Sequence, residues 1–162
     1  MSAARGRRSV GDVTEALDFE DIEIGREYTS PGRTITVADI VNFAGVSGDF
    51  AELHMSDDLD EEAGMFGGRI AHGLLGLVVQ SALGGQAVPT AGLAFLGTNW
   101  RFRGPIRPGD TIRVRLHASE KRLSGSRPGT GIVTWHREVF NQRGEVVQEG
   151  ESMLLVRCRE SR

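Results

Sequence analysis

The second half of the chain alternates between apolar and polar residues, a pattern typical of strands with one buried and one solvated face. The alternating or strand-like runs cover residues 99–103, 112–117, 133–140 and 146–157. Turn-forming residues separate them, with Pro108, Gly109 and Asp110 before the second run and residues 141–144 after the third. The pattern predicts an antiparallel sheet in this half of the chain.

The first half carries a helical pattern. Four apolar residues recur at helical spacing and share one face: Val37, Ile40, Val41 and Ala44. Thr36 stands where an N-cap is expected, and Asp39 three residues later gives a weak capping box. We expect this helix to end near Gly45 or Gly48 and to deliver Asp49 to an open turn.

A second helix is predicted from residue 72 to residue 83, where the chain is apolar on nearly every side. Such a helix is buried rather than half exposed, and at 1.5 Å per residue it is about 18 Å long. A sheet must wrap around it to bury it. The fold class predicted is therefore α+β, with an antiparallel sheet curled around one long, buried central helix. Residues 17–162 form a single domain, and residues 1–16 a loose, flexible basic tail.

Composition restricts the function classes. At 162 residues with a net charge of -3, the chain is one domain's length and has no excess of basic residues to attract nucleic acid. The longest apolar run, 73–83, contains Gln80 and Ser81 and is too short to span a membrane. The single Cys158 excludes an internal disulfide and fits a reducing compartment, so a cytoplasmic location is expected. The acidic run at 55–64 is interpreted as a solvated helix face, not as a metal site.

Candidate chemistry begins with Asp49 and His54, a carboxylate and an imidazole five positions apart after a Ser-Gly turn. Alone, the pair is weak evidence, because Asp49 fits a turn and His54 an ordinary partly buried histidine. Their neighbours Phe50 and Leu53 are apolar, which predicts that the turn packs inward and desolvates both groups. Two proton-handling groups of this kind suit acid–base chemistry on a carbonyl compound.

Gly73 and Ser81 lie on the predicted buried helix. Gly73, in its first turn, leaves an N–H that can bind a developing oxyanion, although close packing alone also explains a glycine there. Ser81 is a hydroxyl among apolar residues and must find a partner, if only a carbonyl one turn earlier. His72, beside Gly73, fits a structural or substrate-contacting role better than a catalytic one.

The Asp49–His54 pair and the downstream segment F-G-G-R-I-A-H-G, residues 66–73, together resemble the signature of the MaoC-like (R)-specific enoyl-CoA hydratases, which have a hot-dog fold. The resemblance covers residues 20–157. It implies that Asp49 and His54 are catalytic and that Ser81 bonds and orients the aspartate. The chain departs from the family pattern at Ala51 and Glu52, where members usually have Asn-Pro; this puts the substrate class in doubt.

The resemblance also implies the reaction: reversible hydration of a trans-2-enoyl thioester to an (R)-3-hydroxyacyl thioester. Asp49 and His54 share the proton transfers, in an order the sequence leaves open, and Gly73 N–H holds the oxyanion. No metal or redox cofactor is expected; coenzyme A or an acyl-carrier phosphopantetheine enters only as part of the substrate. Phe50 and His72 are expected to contact the substrate, and Arg101 and Arg103 its phosphates.

The same resemblance implies a homodimer with one continuous sheet and an acyl tunnel at the subunit seam. No nucleic-acid or membrane partner is expected. Two alternatives to the hydratase stay open. One is a hot-dog acyl-CoA thioesterase, in which water attacks the carbonyl carbon. The other is a non-catalytic hot-dog subunit that binds acyl chains.

Overall fold

A computed structural model describes residues 16–59 and 65–159. The predicted flexible tail, 1–16, lies outside the described residues except for its last position. The helices are α1 (Val37–Ser47), α2 (Glu52–Met55) and α3 (Gly73–Ala87). The strands are β1 (Glu27–Thr29), β2 (Arg33–Thr34), β3 (Gly92–Phe102), β4 (Thr111–Leu123), β5 (Thr130–Phe140) and β6 (Val146–Arg157).

The strands form an antiparallel sheet in the order β1-β4-β5-β6-β3, and β2 pairs separately with β4. The four predicted strands are confirmed, although β3 begins seven residues earlier than the alternation indicated. Both predicted turns are present, with Gly109 at φ 89° and Gly144 at φ 81°, a backbone region that favours glycine. β3 therefore lies at one end of the sheet, with β6 as its neighbour on one side.

α3 packs across the sheet and forms the core with it. Leu75, Val79 and Leu83 on the helix are buried together with Leu116 and Trp135 on the strands. Burial of apolar surface of this kind is the main favourable contribution to folding.

The expectation that α3 is buried on every side is wrong for the single chain. Leu74 and Val78 are 58% and 59% exposed, and Ser81 is exposed as well. These residues recur at spacings of three and four, so they line one face of the helix. α3 thus has one face on the sheet and a largely apolar face that the chain itself does not cover.

The helix predicted at 37–44 is confirmed as α1, with its capping box. Thr36 Oγ1 accepts a hydrogen bond from Asp39 N–H at 3.1 Å, and the Asp39 carboxylate accepts one from Thr36 N–H at 2.8 Å. Ile40 is buried, whereas Val41 on the same predicted face is 45% exposed. Gly48 ends the helix at φ 77°.

No helix in residues 16–59 and 65–159 is long and apolar enough to cross a membrane. The expected acidic helix face at 55–64 is only partly within the described residues. Its described part leaves helical geometry after Met55, so a helix is the wrong description there, while Asp58 is exposed as expected.

Candidate active site

The C-terminal end of α1 presents Asp49 to an open turn. Gly48 reverses the backbone, and the Asp49 N–H donates to Ser47 Oγ at 3.2 Å. Asp49 Oδ1 accepts a hydrogen bond from Ala51 N–H at 3.2 Å, a local turn that aspartate commonly forms. Oδ2 lies on the side of His54, and the side chain is about half exposed. The carboxylate is therefore held by its own turn while one oxygen remains available.

His54 is buried on α2, and one of its ring nitrogens is engaged by the backbone. Nδ1 lies 2.9 Å from the carbonyl oxygen of Ile70. Because a carbonyl can only accept, Nδ1 carries the proton of this hydrogen bond. Nε2 then faces the catalytic side, 3.9 Å from Asp49 Oδ2. The segment at Ile70 is itself fixed, since the Ile70 N–H donates to Leu53 O at 3.0 Å.

His72 lies against His54 and holds the Asp49 backbone. The two rings stack with centroids 3.7 Å apart, and His72 Nε2 donates to the Asp49 carbonyl oxygen at 2.9 Å. His72 is 3% exposed and its Nδ1 is buried with no hydrogen bond among the described residues. In the single chain, His72 is placed to position the pair, while its predicted substrate contact stays a prediction.

Gly73 begins α3 beside these two histidines, at a position whose N–H has no partner within the helix. A Cβ here would lie 2.9 Å from the Phe102 ring, so the close approach of that ring requires glycine. The Gly73 carbonyl accepts a hydrogen bond from Gln148 Nε2 at 3.0 Å, and Gln148 Oε1 accepts one from Trp100 Nε1 at 3.0 Å. Contacts with Phe102 of β3 and Gln148 of β6 therefore fix the start of α3.

Gln148 is a positioning residue that the sequence analysis did not identify. Its side chain is 2% exposed, on a strand where buried positions are otherwise apolar or small. A polar residue at a core-facing position of β6 was the available signal, because a buried amide must be hydrogen-bonded.

The structure does not bring Ser81 to Asp49 within one chain. Ser81 lies eight residues beyond Gly73, about 12 Å along α3, and no hydrogen bond joins it to Asp49 in the described part of the chain. Its hydroxyl is exposed, contrary to the expectation of burial.

The inward packing predicted for Phe50 and Leu53 is also wrong for the single chain. Phe50 is 60% exposed and Leu53 is 38% exposed. The apolar side chains that flank the pair face outward, as the exposed face of α3 does. Glu52 is exposed too, so it stays a solvated residue in the single chain.

Arg101 and Arg103 lie at the end of β3. Arg103 forms an ion pair with Glu149, and this hydrogen bond lowers the pKa of the Glu149 carboxyl. Arg103 also lines a groove of ≈ 410 Å³ together with Arg107 and Arg143. Arg107 in turn donates to the carbonyls of Phe66 and Gly67, in the loop that leads to α3. The groove therefore adjoins the loop before the candidate site, and it is lined by three arginines.

One group of possible metal ligands occurs among the described residues, and it is the site itself. Ligand atoms of Asp49, His54 and His72 lie within 4.8 Å of one another. However, His54 Nδ1 and His72 Nε2 are each directed to a backbone carbonyl. The expectation that no metal takes part stays a prediction.

Comparisons with known proteins find relatives that match most of the chain. The family model for the MaoC like domain matches residues 19–138. An (R)-specific enoyl-CoA hydratase of Rhodospirillum rubrum is 34% identical over 141 residues, which cover 87% of this chain and 92% of that protein. The structure of an R-hydratase from Pseudomonas aeruginosa in the unliganded form superposes with a TM-score of 0.72 at 31% identity, covering 89% of this chain and 88% of that one.

The fold has a further match in a Mycobacterium tuberculosis protein described as having a double hotdog fold. The TM-score is 0.78 at 20% identity, and the match covers 88% of this chain and 44% of that one. At this identity the likeness concerns the fold alone. Together with the helix packed on an antiparallel sheet, it confirms the predicted hot-dog architecture.

Proposed function

The chain belongs to the MaoC-like domain family, and on that premise we propose that it is a hydro-lyase that interconverts a trans-2-enoyl thioester and an (R)-3-hydroxyacyl thioester. The observation that carries the proposal is the fixed geometry of His54. Its Nδ1 is engaged by Ile70 O, so Nε2 is the one nitrogen available to exchange protons, and it faces the Asp49 carboxylate beside Gly73. Known relatives with hydratase names support the same chemistry.

The proposed proton transfers use both members of the pair. A water molecule hydrogen-bonded to both Asp49 Oδ2 and His54 Nε2 attacks Cβ of the enoyl thioester, and the carboxylate of Asp49 takes its proton. The imidazolium form of His54 gives the Nε2 proton to Cα, and the electron pair of the double bond forms the new Cα–H bond. A proton then passes from Asp49 to His54 through water, which restores the pair. General acid–base catalysis of this kind contributes about 10²–10⁴-fold.

Gly73 N–H is proposed to bind the thioester oxygen while negative charge develops on it. The N-terminus of α3 favours negative charge, and the Gly73 N–H, in the first turn, has no partner within the helix. Since proton transfer and oxyanion binding suffice for this reaction, we propose that no metal or redox cofactor takes part.

The carrier is proposed to be coenzyme A or the phosphopantetheine of an acyl-carrier protein. The groove lined by Arg103, Arg107 and Arg143 offers guanidinium groups, which suit phosphate recognition. Arg101, exposed at the end of β3, is proposed as a further phosphate contact. A cytoplasmic location, where thioester substrates of this kind are used, remains part of the proposal.

A symmetric homodimer is proposed to complete the site. Two copies joined through β3 by a two-fold axis perpendicular to the sheet place their α3 helices antiparallel on the same face. The N-terminal end of one α3 then lies beside the C-terminal half of the other. Ser81 of the partner subunit would approach Asp49, and the exposed apolar faces around Val78 would cover each other.

One assay distinguishes the hydratase from its alternatives. Purified protein is mixed with trans-2-enoyl-CoA esters of several lengths, and loss of enoyl absorbance is recorded beside the release of free thiol. We expect absorbance loss without thiol release, and an (R)-3-hydroxyacyl product by chiral analysis. Thiol release would instead identify a thioesterase. No turnover of any ester, with acyl chains nevertheless bound, would identify a non-catalytic acyl-binding subunit.

A further inference from the structure

An arginine occupies a core-facing position in the centre of the sheet. β5 alternates strictly between buried and half-buried residues, and Arg137 stands between Trp135 and Val139 on the buried side. It is only 5% exposed. Arginine is almost never buried to this degree without an anionic partner. Arg137 takes no part in the proton transfers proposed above.

The Arg137 guanidinium has few partners within the part of the chain that the structure describes. Nη1 donates to Gln80 Oε1 at 3.2 Å, and Nε is buried with no hydrogen bond. No carboxylate in those residues forms an ion pair with it. The indole N–H of Trp135 is likewise buried without a hydrogen bond. Two neighbouring core residues thus hold unused hydrogen-bond donors.

Both residues line one cavity. Its volume is ≈ 90 Å³, and it lies between the C-terminal half of α3 and strands β5 and β6. The lining includes Ser81, Gly84 and Gly85. Ser81 and Gly85 belong to the exposed part of α3 and form the mouth of the cavity. The space is sufficient for a carboxyl group or a few water molecules.

Gly84 of α3 lies directly against the Arg137 guanidinium. A Cβ on Gly84 would approach Arg137 Nη1 to 2.6 Å, whereas a Cβ on Gly85 would meet nothing within 4 Å. Burial lowers the pKa of Arg137 to about 10, so the group remains a cation at neutral pH. An uncompensated buried cation is costly, and an anion that enters the cavity would relieve that cost.

We infer that this cavity binds the carboxylate at the far end of an acyl chain, so that the substrates are enoyl thioesters of dicarboxylic acids. The inference rests on the proposed function, since it names the substrate class of the same enzyme. The mouth of the cavity lies on the α3 face where the dimer seam and its acyl tunnel are proposed. A carboxylate there would accept hydrogen bonds from Arg137, and its charge would be compensated in a bidentate pair. A methyl-terminated chain would leave the cation unpaired.

The substrate arm compares pairs of trans-2-enoyl-CoA esters of equal length that end in a methyl group or in a carboxylate. At the length that reaches the cavity, we expect kcat/KM to favour the carboxylate by about ten-fold or more, because a site built for a polar group rejects the analogue that lacks it. Arg137→Gln should abolish this preference, and Arg137→Lys should keep part of it. Gly84→Ala should weaken it, and Gly125→Ala, in the loop between β4 and β5 where an added Cβ meets nothing within 4 Å, should leave it unchanged.

The binding arm needs no turnover. The Tm of the intact protein is measured with glutarate and with sodium chloride at the same ionic strength. We expect glutarate to raise the Tm of the wild type and of Gly125→Ala, but not of Arg137→Gln. Should Arg137→Gln fail to fold, Gly84→Ala replaces it in both arms.

The two arms separate the inference from the proposed function. A glutarate effect that depends on Arg137, in a protein inactive on every thioester, would sustain the anion site and refute the hydratase. Hydratase activity with no carboxylate preference and no Arg137-dependent shift in Tm would refute the anion site alone. A carboxylate of a second copy of the chain bonded to Arg137 in a crystal structure would also overturn the inference.

Discussion

At the scale of single residues, the candidate site is organised by backbone carbonyls. Ile70 O fixes the proton on His54 Nδ1, and Asp49 O accepts from His72 Nε2. Each histidine therefore has one nitrogen engaged, and the stacked rings hold each other in place. This arrangement leaves Asp49 Oδ2 and His54 Nε2 facing each other 3.9 Å apart, so that one water molecule beside them can hydrogen-bond to both.

Removing either member of the pair should abolish most turnover without unfolding the protein. Asp49→Asn would remove the proposed base and His54→Ala the proposed acid, so we expect each to lower kcat by about 100-fold or more. Asp58→Asn is the matched control, since it alters an exposed carboxylate close by in sequence. Steady-state kinetics is recorded beside circular dichroism and Tm. Near-full hydratase activity in a folded variant would exclude that residue from catalysis.

The variant Ser81→Ala tests whether the Ser81 hydroxyl on α3 orients Asp49 or has no catalytic role. Its side chain is exposed in the single chain, so Ser81→Ala should change the Tm little. If Ser81 of the partner subunit orients Asp49, the same variant should lower kcat while KM changes less. Ser119→Ala, which removes an exposed hydroxyl on β4, serves as the control. Equal kcat for Ser81→Ala and the wild type would show that the hydroxyl has no catalytic role.

At the scale of elements, local chemistry allowed the sequence to predict α1 and the main strands. Thr36 and Asp39 cap the helix within four residues, and the alternation around Val133 depends only on nearest neighbours in the strand. β1 and β2 were not predicted, because two or three residues are too few for a periodic signal. Their structure depends instead on pairing with β4, which is distant in sequence.

The turn before β4 contains a buried carboxylate whose ionisation should matter for stability. Burial alone would raise the pKa of Asp110, but hydrogen bonds from Arg107 N–H, Gln142 Nε2 and Arg143 Nη1 outweigh burial and lower it. A lowered folded-state pKa means that the contribution to stability is present above about pH 4, the ordinary aspartate value, and is lost as the pH falls through the folded pKa.

Asp110→Asn should therefore be destabilising at pH 7, by about 1–3 kcal/mol, the scale of hydrogen bonds to a charged group. The difference between the wild type and this variant should shrink below about pH 3. Denaturant unfolding at both pH values measures it, with Glu120→Gln as the control for an exposed acid. A difference that is the same at both pH values would contradict the ionised, hydrogen-bonded state of Asp110.

At the scale of the whole molecule, the sequence predicted more buried apolar surface than the single chain has. The pattern of residues 72–83 predicted burial on all sides, yet Leu74 and Val78 are exposed in the single chain. Phe50 and Leu53 show the same discrepancy. Hydropathy indicates which residues are apolar, but it does not indicate whether the same chain or another chain covers them. Arg137 could not have been placed from sequence either, because it is buried against Gln80 and Gly84 of α3, a helix distant in sequence.

The edge strand β3 gives the dimer its most direct test. It is 11 residues long, pairs with β6 on one side, and exposes Leu93 and Phe95, which are 56% exposed each. A long apolar edge of this kind is a site for pairing with another chain. In sedimentation velocity at low micromolar concentration, we expect the wild type to run at twice the chain mass of 17.6 kDa.

Phe95→Lys should place a charge in the proposed seam and shift the protein to the monomer. Leu123→Lys is the matched control, because Leu123 is 67% exposed at the end of β4, which β5 and β6 separate from β3 in the sheet. If Ser81 of the partner subunit completes the site, monomeric Phe95→Lys should lose hydratase activity even though it retains Asp49 and His54, and activity should return as rising concentration restores the dimer. A fully active wild-type species at 17.6 kDa would refute both the dimer and the shared site.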